Sequence, residues 1–330
     1  MPSQHTALIL PAAGAAFEVA KRDTPTPGPG QVLVRNKAVA LNPIDNFIQK
    51  TGLFTDGFPA VVGGDGAGEV AALGAGVKGW SVGDKVFYQS AFVADRGTFQ
   101  EFTIADAARI AKVPSKLSYE EIVSVPLTFA TAAIGAYKAK SSIVTAFGHS
   151  VGGAGLVAPW EAGGRGKYSG QVAVILGGSS SVGQFVIQLA KLSGFIPYAK
   201  LPDAVRQIVG DAPLKYVYDA ISNADSNKAG WDLLSPGGVM VVVLPPSPEV
   251  GVAGKDDERG RRLVFVFGII NHPDNHEFGA GLYAAVSEMF EKGELKPNKV
   301  ETVGNDLRAI PHGLEKLAKG VSGVKLVATI

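Results

Sequence analysis

The sequence predicts an α/β protein built from a β-rich N-terminal region and a doubly wound parallel sheet. Three observations carry this. Residues 1–125 hold many short apolar or alternating runs split by Gly and Pro. From Gln171 onward, continuous apolar runs alternate with helical stretches. A Gly/Ser turn, Gly177–Gly183, joins the apolar run Val172–Leu176 to an amphipathic one.

In the first region Ala7–Leu10, Gln31–Ala40, Gly68–Leu73, Lys85–Tyr88, Thr98–Ile104 and Ile110–Val113 read as strands. Short strands at this spacing imply a barrel or sandwich. Helices are expected at Ile44–Lys50, Ser118–Val125 and Leu127–Lys138, the last a linker. In the second region Val172–Leu176, Tyr216–Ala220, Val239–Leu244 and Leu263–Phe267 read as strands. Ser181–Ser193, Lys228–Leu234, Phe278–Lys292 and Leu307–Lys319 read as helices, and Lys325–Ile330 as a closing strand. Uninterrupted apolar strands between helices mean a parallel sheet buried on both faces.

Composition narrows the function classes. The chain has 330 residues, with 31 basic and 30 acidic side chains and no basic arm, which argues against nucleic acid as a partner. No apolar run reaches the length of a membrane span. The N-terminus shows no charged segment followed by an apolar one, so a soluble cytoplasmic protein is expected. There is no cysteine, hence no disulfide, no Cys-based zinc site and no thiol nucleophile. His272 and His276 are spaced for a metal on a helix, but Pro273 interrupts them and the pair reads as loop. No metal ligand is expected.

The turn carries the chemistry. Gly178-x-Ser180-x-x-Gly183 stands between a buried strand and a helix, where backbone N–H groups at a helix N-terminus can receive a dinucleotide pyrophosphate. Gly178, Ser179, Ser180, Ser181 and Val182 are therefore cofactor-site candidates. Helix capping by the same serines is compatible with that role.

The ordered set Asn42-Pro-Ile-Asp45, Gly63–Val70, Trp80–Val86, Gly97–Phe102, Thr131-Ala-Ala133, Gly177–Gly183, Val266-Phe-Gly268 and Ser322–Val327 resembles the medium-chain dehydrogenase/reductase superfamily. It is most similar to the zinc-free quinone reductases and to fungal enoyl reductases that act with polyketide synthases. The resemblance spans nearly the whole chain. It implies a GroES-like catalytic domain at 1–125 completed by 293–330, and a Rossmann-like nucleotide-binding domain at 126–292. It implies NADP(H) as cofactor and a small enoyl or quinone substrate bound in the cleft between domains. Members are often dimers or tetramers, some joined through the strand near Leu263–Phe267, and others are monomers, so the resemblance allows a homodimer. A catalytically silent member that binds a small molecule or a partner protein is the alternative.

Zinc-dependent members place a Cys in the segment Asn42–Asp45 and His-Glu at Gly64-Asp65, so both positions lack the zinc ligands. By resemblance Asn42 and Asp45 border the nicotinamide and substrate; the alternative is a turn that caps the following helix. Thr131 either faces the nicotinamide or bonds its own backbone. Leu244 and Gly268 close strands at their carboxyl ends, where ligands sit. Gly323 and Val324 match a terminal segment that touches the cofactor in similar enzymes. No catalytic acid is identified. Leu53 and Phe54 stand where some enoyl reductases carry Tyr, and Tyr88 and Tyr137 read as packing more readily than as donors. Water could protonate a reduced quinone.

Two departures stand out. Only one short strand, Phe195–Ala199, and one helix, Pro202–Val209, fit between Gly194 and Tyr216. Roughly 25 residues fewer than a full double crossover are available. That shortened stretch is where adenosine ribose is normally read, and Lys200, Asp203 and Arg206 are its charged residues. Asp203 reads as a helix-start residue. Lys140–Val151, in contrast, is longer than expected.

Overall fold

The computed structural model describes residues 2–139, 141, 144, 148–199, 205–207, 210 and 212–330. They form two units, 1–127 with 269–330, and 128–268. The chain thus returns to the first unit at residue 269, where the sequence placed the return at 293. The helix at 276–291 belongs to the first unit.

The N-terminal segments are β1 (Gln4–Leu10), β2 (Glu18–Asp23), β3 (Gln31–Ala40), α1 (Pro43–Thr51), β4 (Ala60–Val61), β5 (Asp65–Leu73), β6 (Lys85–Gln89), β7 (Phe102–Asp106), β8 (Ile110–Lys112) and α2 (Tyr119–Ile122). Then come α3 (Pro126–Tyr137), β9 (Val172–Leu176), α4 (Ser181–Leu192), β10 (Ile196–Tyr198), β11 (Tyr216–Asp219), α5 (Ala224–Leu233), β12 (Val239–Val242) and β13 (Arg262–Phe265). The chain closes with α6 (His276–Glu291), β14 (Val300–Gly304), α7 (Ile310–Ala318) and β15 (Lys325–Thr329).

In the first unit β3 is the hub. One side pairs antiparallel with β5. The other is shared between β7, at Gln31–Arg35, and β15, at Ala38–Ala40. The pairing with β5 shifts between Asn36 and Ala38. Buried Asn36 fills that irregularity, donating to the Gln100 carbonyl and Thr103 Oγ1 at 2.8 Å each and accepting from the Tyr88 hydroxyl at 2.6 Å. Tyr88 is thereby a packing residue. Leu8, Leu10, Leu41, Ile48, Val61, Phe99, Ile310 and Leu326 form the core beside this sheet.

The second unit is a five-stranded parallel sheet in the order β10-β9-β11-β12-β13. β9, β11, β12 and β13 are largely buried and mostly apolar, with α4 and α5 connecting parallel neighbours by crossovers, while β10 at the edge is partly exposed. Tyr137 is buried, with its hydroxyl 2.8 Å from Ser193 Oγ and donating to the Leu189 carbonyl, so it too is structural. Among the described residues no strand lies beyond β10, which agrees with the shortened crossover read from the sequence. Lys200, Asp203 and most of the helix expected at 202–209 lie outside the described residues, as does much of 140–147. Among the described residues no helix is long and apolar enough to cross a membrane.

Candidate functional site

The phosphate turn sits at the carboxyl end of β9, beside β11, where neighbouring connections leave in opposite directions. Such switch points are where open α/β sheets bind ligands. Gly177 has φ +75°, a left-handed value that suits glycine. A Cβ on Gly183 would lie 2.2 Å from the Gly177 carbonyl oxygen, so glycine there lets α4 start directly against the strand. Ser180 is the N-cap of α4: its Oγ accepts from the Gly183 N–H at 3.0 Å. The N–H groups of Ser179, Ser181 and Val182 are spent on no acceptor among the described residues. Their segment is partly exposed. Unspent N–H groups at the positive end of a twelve-residue helix fit a pyrophosphate.

Two further candidates meet in the same unit. A Cβ on Gly268 would lie 2.1 Å from Thr131 Oγ1 and 2.8 Å from its Cβ, so Thr131 packs directly on Gly268. The Thr131 carbonyl accepts from the Tyr218 hydroxyl at 2.9 Å, which ties α3 to β11. Leu244 lies past the end of β12 and is 53% exposed, an apolar side chain at the carboxyl edge of the sheet.

The sequence reading missed Asp219, at the carboxyl end of β11. It is buried and accepts four hydrogen bonds: from the N–H groups of Ile221 and Ser222 at 2.9 Å each, from Ser226 Oγ at 2.6 Å and from Asn227 Nδ2 at 2.8 Å. Asn227 Oδ1 in turn accepts the Ser247 N–H at 2.9 Å. One carboxylate thus holds the loops after β11 and β12 together. A run of Asp, Ser and Asn after an apolar strand is its only trace in the sequence.

Asn42 and Asp45 lie at the start of α1. Both are fully buried. The alternative reading, a helix cap, describes them: Asn42 is the N-cap of α1, and the Asp45 carboxylate accepts the Asn42 N–H at 2.7 Å. The Asn42 amide donates to Asp65 Oδ2 at 2.8 Å, and its oxygen accepts from Lys325 Nζ. Asp65 also accepts the Leu127 N–H at 2.7 Å and lies 3.4 Å from Lys325 Nζ. In the sequence Asp65 stood out only as a position without a zinc ligand, and Lys325 was not singled out. Gly323 and Val324 lead into Lys325, in the first unit; Gly323 is left-handed with φ +71°.

Burial dominates the electrostatics of this cluster. It pushes the Asp45 carboxyl up to about 8, opposed by the Asn42 N–H and reinforced by the charge of Asp65. Burial also pushes Asp65 upward, against the pull of Lys325, Asn42 and the Leu127 N–H. Asp65 has three donors; Asp45 has one, and its Oδ1 has no partner. Of the two carboxyls, Asp45 has the fewer donors, and Asp65 lies beside the Lys325 ammonium. Arg206, near the adenosine stretch, donates to the Asp232 carbonyl at 2.8 Å.

Comparison with known proteins places these features in context. The alcohol dehydrogenase GroES-like domain family matches residues 28–115. A trans-enoyl reductase of Aspergillus terreus is 37% identical over 230 residues, 66% of this chain and 70% of that one. A trans-enoyl reductase of Aspergillus flavipes is 30% identical over the full length of both chains. That alignment runs over 367 positions against the 330 residues here, so the relative carries segments this chain lacks. Among solved structures, an alcohol dehydrogenase superfamily protein from Novosphingobium aromaticivorans superposes with a TM-score of 0.77 over 99% of each chain at 23% identity. A quinone oxidoreductase of Pseudomonas syringae reaches 0.72 over 99% of this chain and 100% of its own at 20% identity.

Proposed function

The chain belongs to the medium-chain dehydrogenase/reductase superfamily, a family of oxidoreductases, and from that premise we propose that it is a zinc-independent, NADP(H)-dependent reductase of an activated C=C bond in an enoyl substrate. A quinone is the other acceptor in keeping with its relatives. The single observation behind the cofactor reading is the Gly177–Gly183 turn, with three unspent N–H groups at the start of α4. The enoyl reading draws on the trans-enoyl reductases that align with the chain. The preference for NADP(H) over NAD(H) rests on the superfamily resemblance.

In this reading Ser179, Ser181 and Val182 hold the pyrophosphate through their backbone, with the serine hydroxyls as further donors. Thr131, Gly268 and Leu244 line the nicotinamide end. When bound, the nicotinamide supplies a hydride. The protein binds, orients and shapes the edge of the sheet, with Asp219 keeping its loops in place. Asn42, Asp45, Asp65 and Lys325 act indirectly by fixing α1. Zinc independence is supported by residue chemistry: the chain has no cysteine, Gly64 offers no side-chain donor, and the cation beside Asp65 is the Lys325 ammonium. An unactivated alcohol would lack Lewis-acid help there, whereas an electrophilic alkene needs none.

One observation favours a second reading. Among the described residues the parallel sheet ends at β10, and a silent, ligand-binding member would tolerate a short adenosine-reading stretch. Titration with NADPH and then NADH, followed by nicotinamide fluorescence, separates the two. Saturable binding with NADPH tighter than NADH supports the reductase. Binding of neither supports the silent member.

A further inference from the structure

Exposed apolar side chains are ordinary when scattered and informative when gathered. Among the described residues, Phe47, Leu53, Phe54 and Phe58 are all exposed and all fall at the end of α1 and the turn after it, while the other exposed large apolar side chains are spread along the chain. Local structure holds the four in place. Thr51 Oγ1 donates to the Phe47 carbonyl at 2.8 Å, Gly52 closes α1 at φ +72°, and Thr55 Oγ1 donates to the Gly52 carbonyl at 2.9 Å. Phe54 is also left-handed, at φ +72°, a value a bulky residue adopts at a cost, and its ring lies 6.2 Å from that of Phe47. Backbone outliers of this kind gather where ligands are held. The Phe58 ring lies over Gly52: a Cβ there would meet Phe58 Cζ at 2.8 Å and Ala13 Cβ at 3.3 Å. Gly14 N–H donates to the Gln49 carbonyl at 2.7 Å, and Gln49 Nε2 to the Ala15 carbonyl at 3.1 Å. The uncharged run Pro11–Phe17 is thereby pinned beside α1.

The patch is apolar, small and electrically balanced. Lys50 and Asp56 are the exposed charges of residues 43–59, one of each sign. A surface with no basic surplus does not suit an anionic membrane. At 38% to 44% exposure each, the four side chains present roughly 300 Å². That is well short of the roughly 800 Å² each partner brings to a stable protein interface. It matches the area that a chain of about ten methylenes buries.

We propose that Phe47, Leu53 and Phe58 form a binding site for the aliphatic tail of an acyl substrate, with Phe54 bracing Phe47. The proposal rests on the enoyl reading above and names its substrate class, an acyl group with an apolar tail of about ten carbons rather than a short one. The test is calorimetric titration of the full chain with dodecanoyl-pantetheine and butanoyl-pantetheine, saturated thioesters with no double bond to reduce. The dodecanoyl thioester is expected to bind at least about tenfold tighter. In Leu53→Ser/Phe58→Ser that ratio should fall below about threefold while the melting temperature does not drop. Leu53→Ser alone, at an exposed position, serves if the double variant unsettles the turn, and should lower the ratio about twofold or more. A ratio near one in the natural protein, or one that survives in the variants, would overturn the proposal. So would variants that instead lose binding to phosphatidylcholine vesicles, or lose a concentration-dependent dimer, since the patch would then have another occupant. Assay with trans-2-dodecenoyl-pantetheine keeps the two readings apart. Chain-length-dependent binding without NADPH oxidation would remove the reductase and leave the site; NADPH oxidation without chain-length dependence would do the reverse.

Discussion

Lys325 and Asp65 form an ion pair in the interior of the first unit, Nζ to Oδ2 3.4 Å, with both side chains almost wholly removed from solvent. β5 and β15 lie on opposite sides of β3, and the pair spans that strand with Asn42 between its members. Removing one partner strands the other. Lys325→Met should therefore cost about 3–5 kcal/mol of unfolding free energy. The double variant Lys325→Met with Asp65→Asn should recover much of the loss, because no charge is left behind. Denaturant unfolding of the two single variants and the double gives the coupling directly. Additive losses would show that the pair is not the unit of stability.

Asp45 makes stability depend on pH in an unusual direction. Its folded value is near 8, above the ordinary 3.8, so the folded state holds a proton that the unfolded state releases. Its contribution is complete below pH 3.8 and declines as pH rises toward 8. Asp45→Asn keeps an oxygen for the Asn42 N–H and cannot titrate. Melting temperatures between pH 5 and about 8.5 should fall more steeply in the natural protein than in the variant. Parallel curves would place the proton elsewhere.

His5 works in the opposite sense. Gln100 donates both amide hydrogens, to the carbonyls of Ala94 and Gly97, so its oxygen faces His5 Nε2 and Arg22. Nε2 therefore carries the proton, and Nδ1 accepts from Thr24 Oγ1 at 3.2 Å. Burial, with Arg22 nearby, lowers the folded value below 6.5. This stabilisation is present above pH 6.5 and is lost as pH falls toward the folded value. His5→Gln should flatten the acid side of the stability profile. An unchanged acid limb would assign it to other groups.

Ser181 separates binding from folding. As the first residue of α4 it tolerates an acid, which favours a helix N-terminus by about 0.3–1 kcal/mol. The same charge repels a pyrophosphate. Ser181→Glu should leave the melting temperature level or raised while NADPH affinity falls at least about tenfold, or about 1.4 kcal/mol. Equal affinity in variant and natural protein would remove the turn from the cofactor site.

Gly268→Ala tests the contact with Thr131. The added methyl would sit 2.1 Å from Thr131 Oγ1, so α3 or the end of β13 must shift. A cost of about 1–3 kcal/mol is expected, with weaker NADPH binding. A variant that binds NADPH as the natural protein does would show that the nicotinamide end does not rest on these residues.

The parts of the fold that were legible are those where one force acts alone. β9 runs over Val172–Leu176 as read, because a central parallel strand is uniformly apolar. β3 likewise matches Gln31–Ala40. β2 was not seen: Glu18–Asp23 is polar and exposed along most of its length, and it is a strand because β1 pairs with it. The phosphate turn was legible because its glycines answer to local geometry. The Asn42–Asp45–Asp65–Lys325 cluster was not, since charged residues far apart in sequence read as surface until the sheet brings them together. Asn42 and Asp45 were placed at a ligand by resemblance, and their visible contacts are those of a helix cap at the start of α1. That no strand lies beyond β10 among the described residues agrees with chain length, because a crossover cannot be compressed into so few residues.

Enoyl reduction is tested most directly by NADPH oxidation by the purified protein with a trans-2-enoyl thioester, followed by the absorbance of the reduced cofactor, with the product then identified by its mass. The account predicts NADPH consumption matched one-to-one by a saturated product, about two mass units heavier than the substrate. NADPH that binds but is consumed with a quinone and never with an enoyl thioester would contradict it.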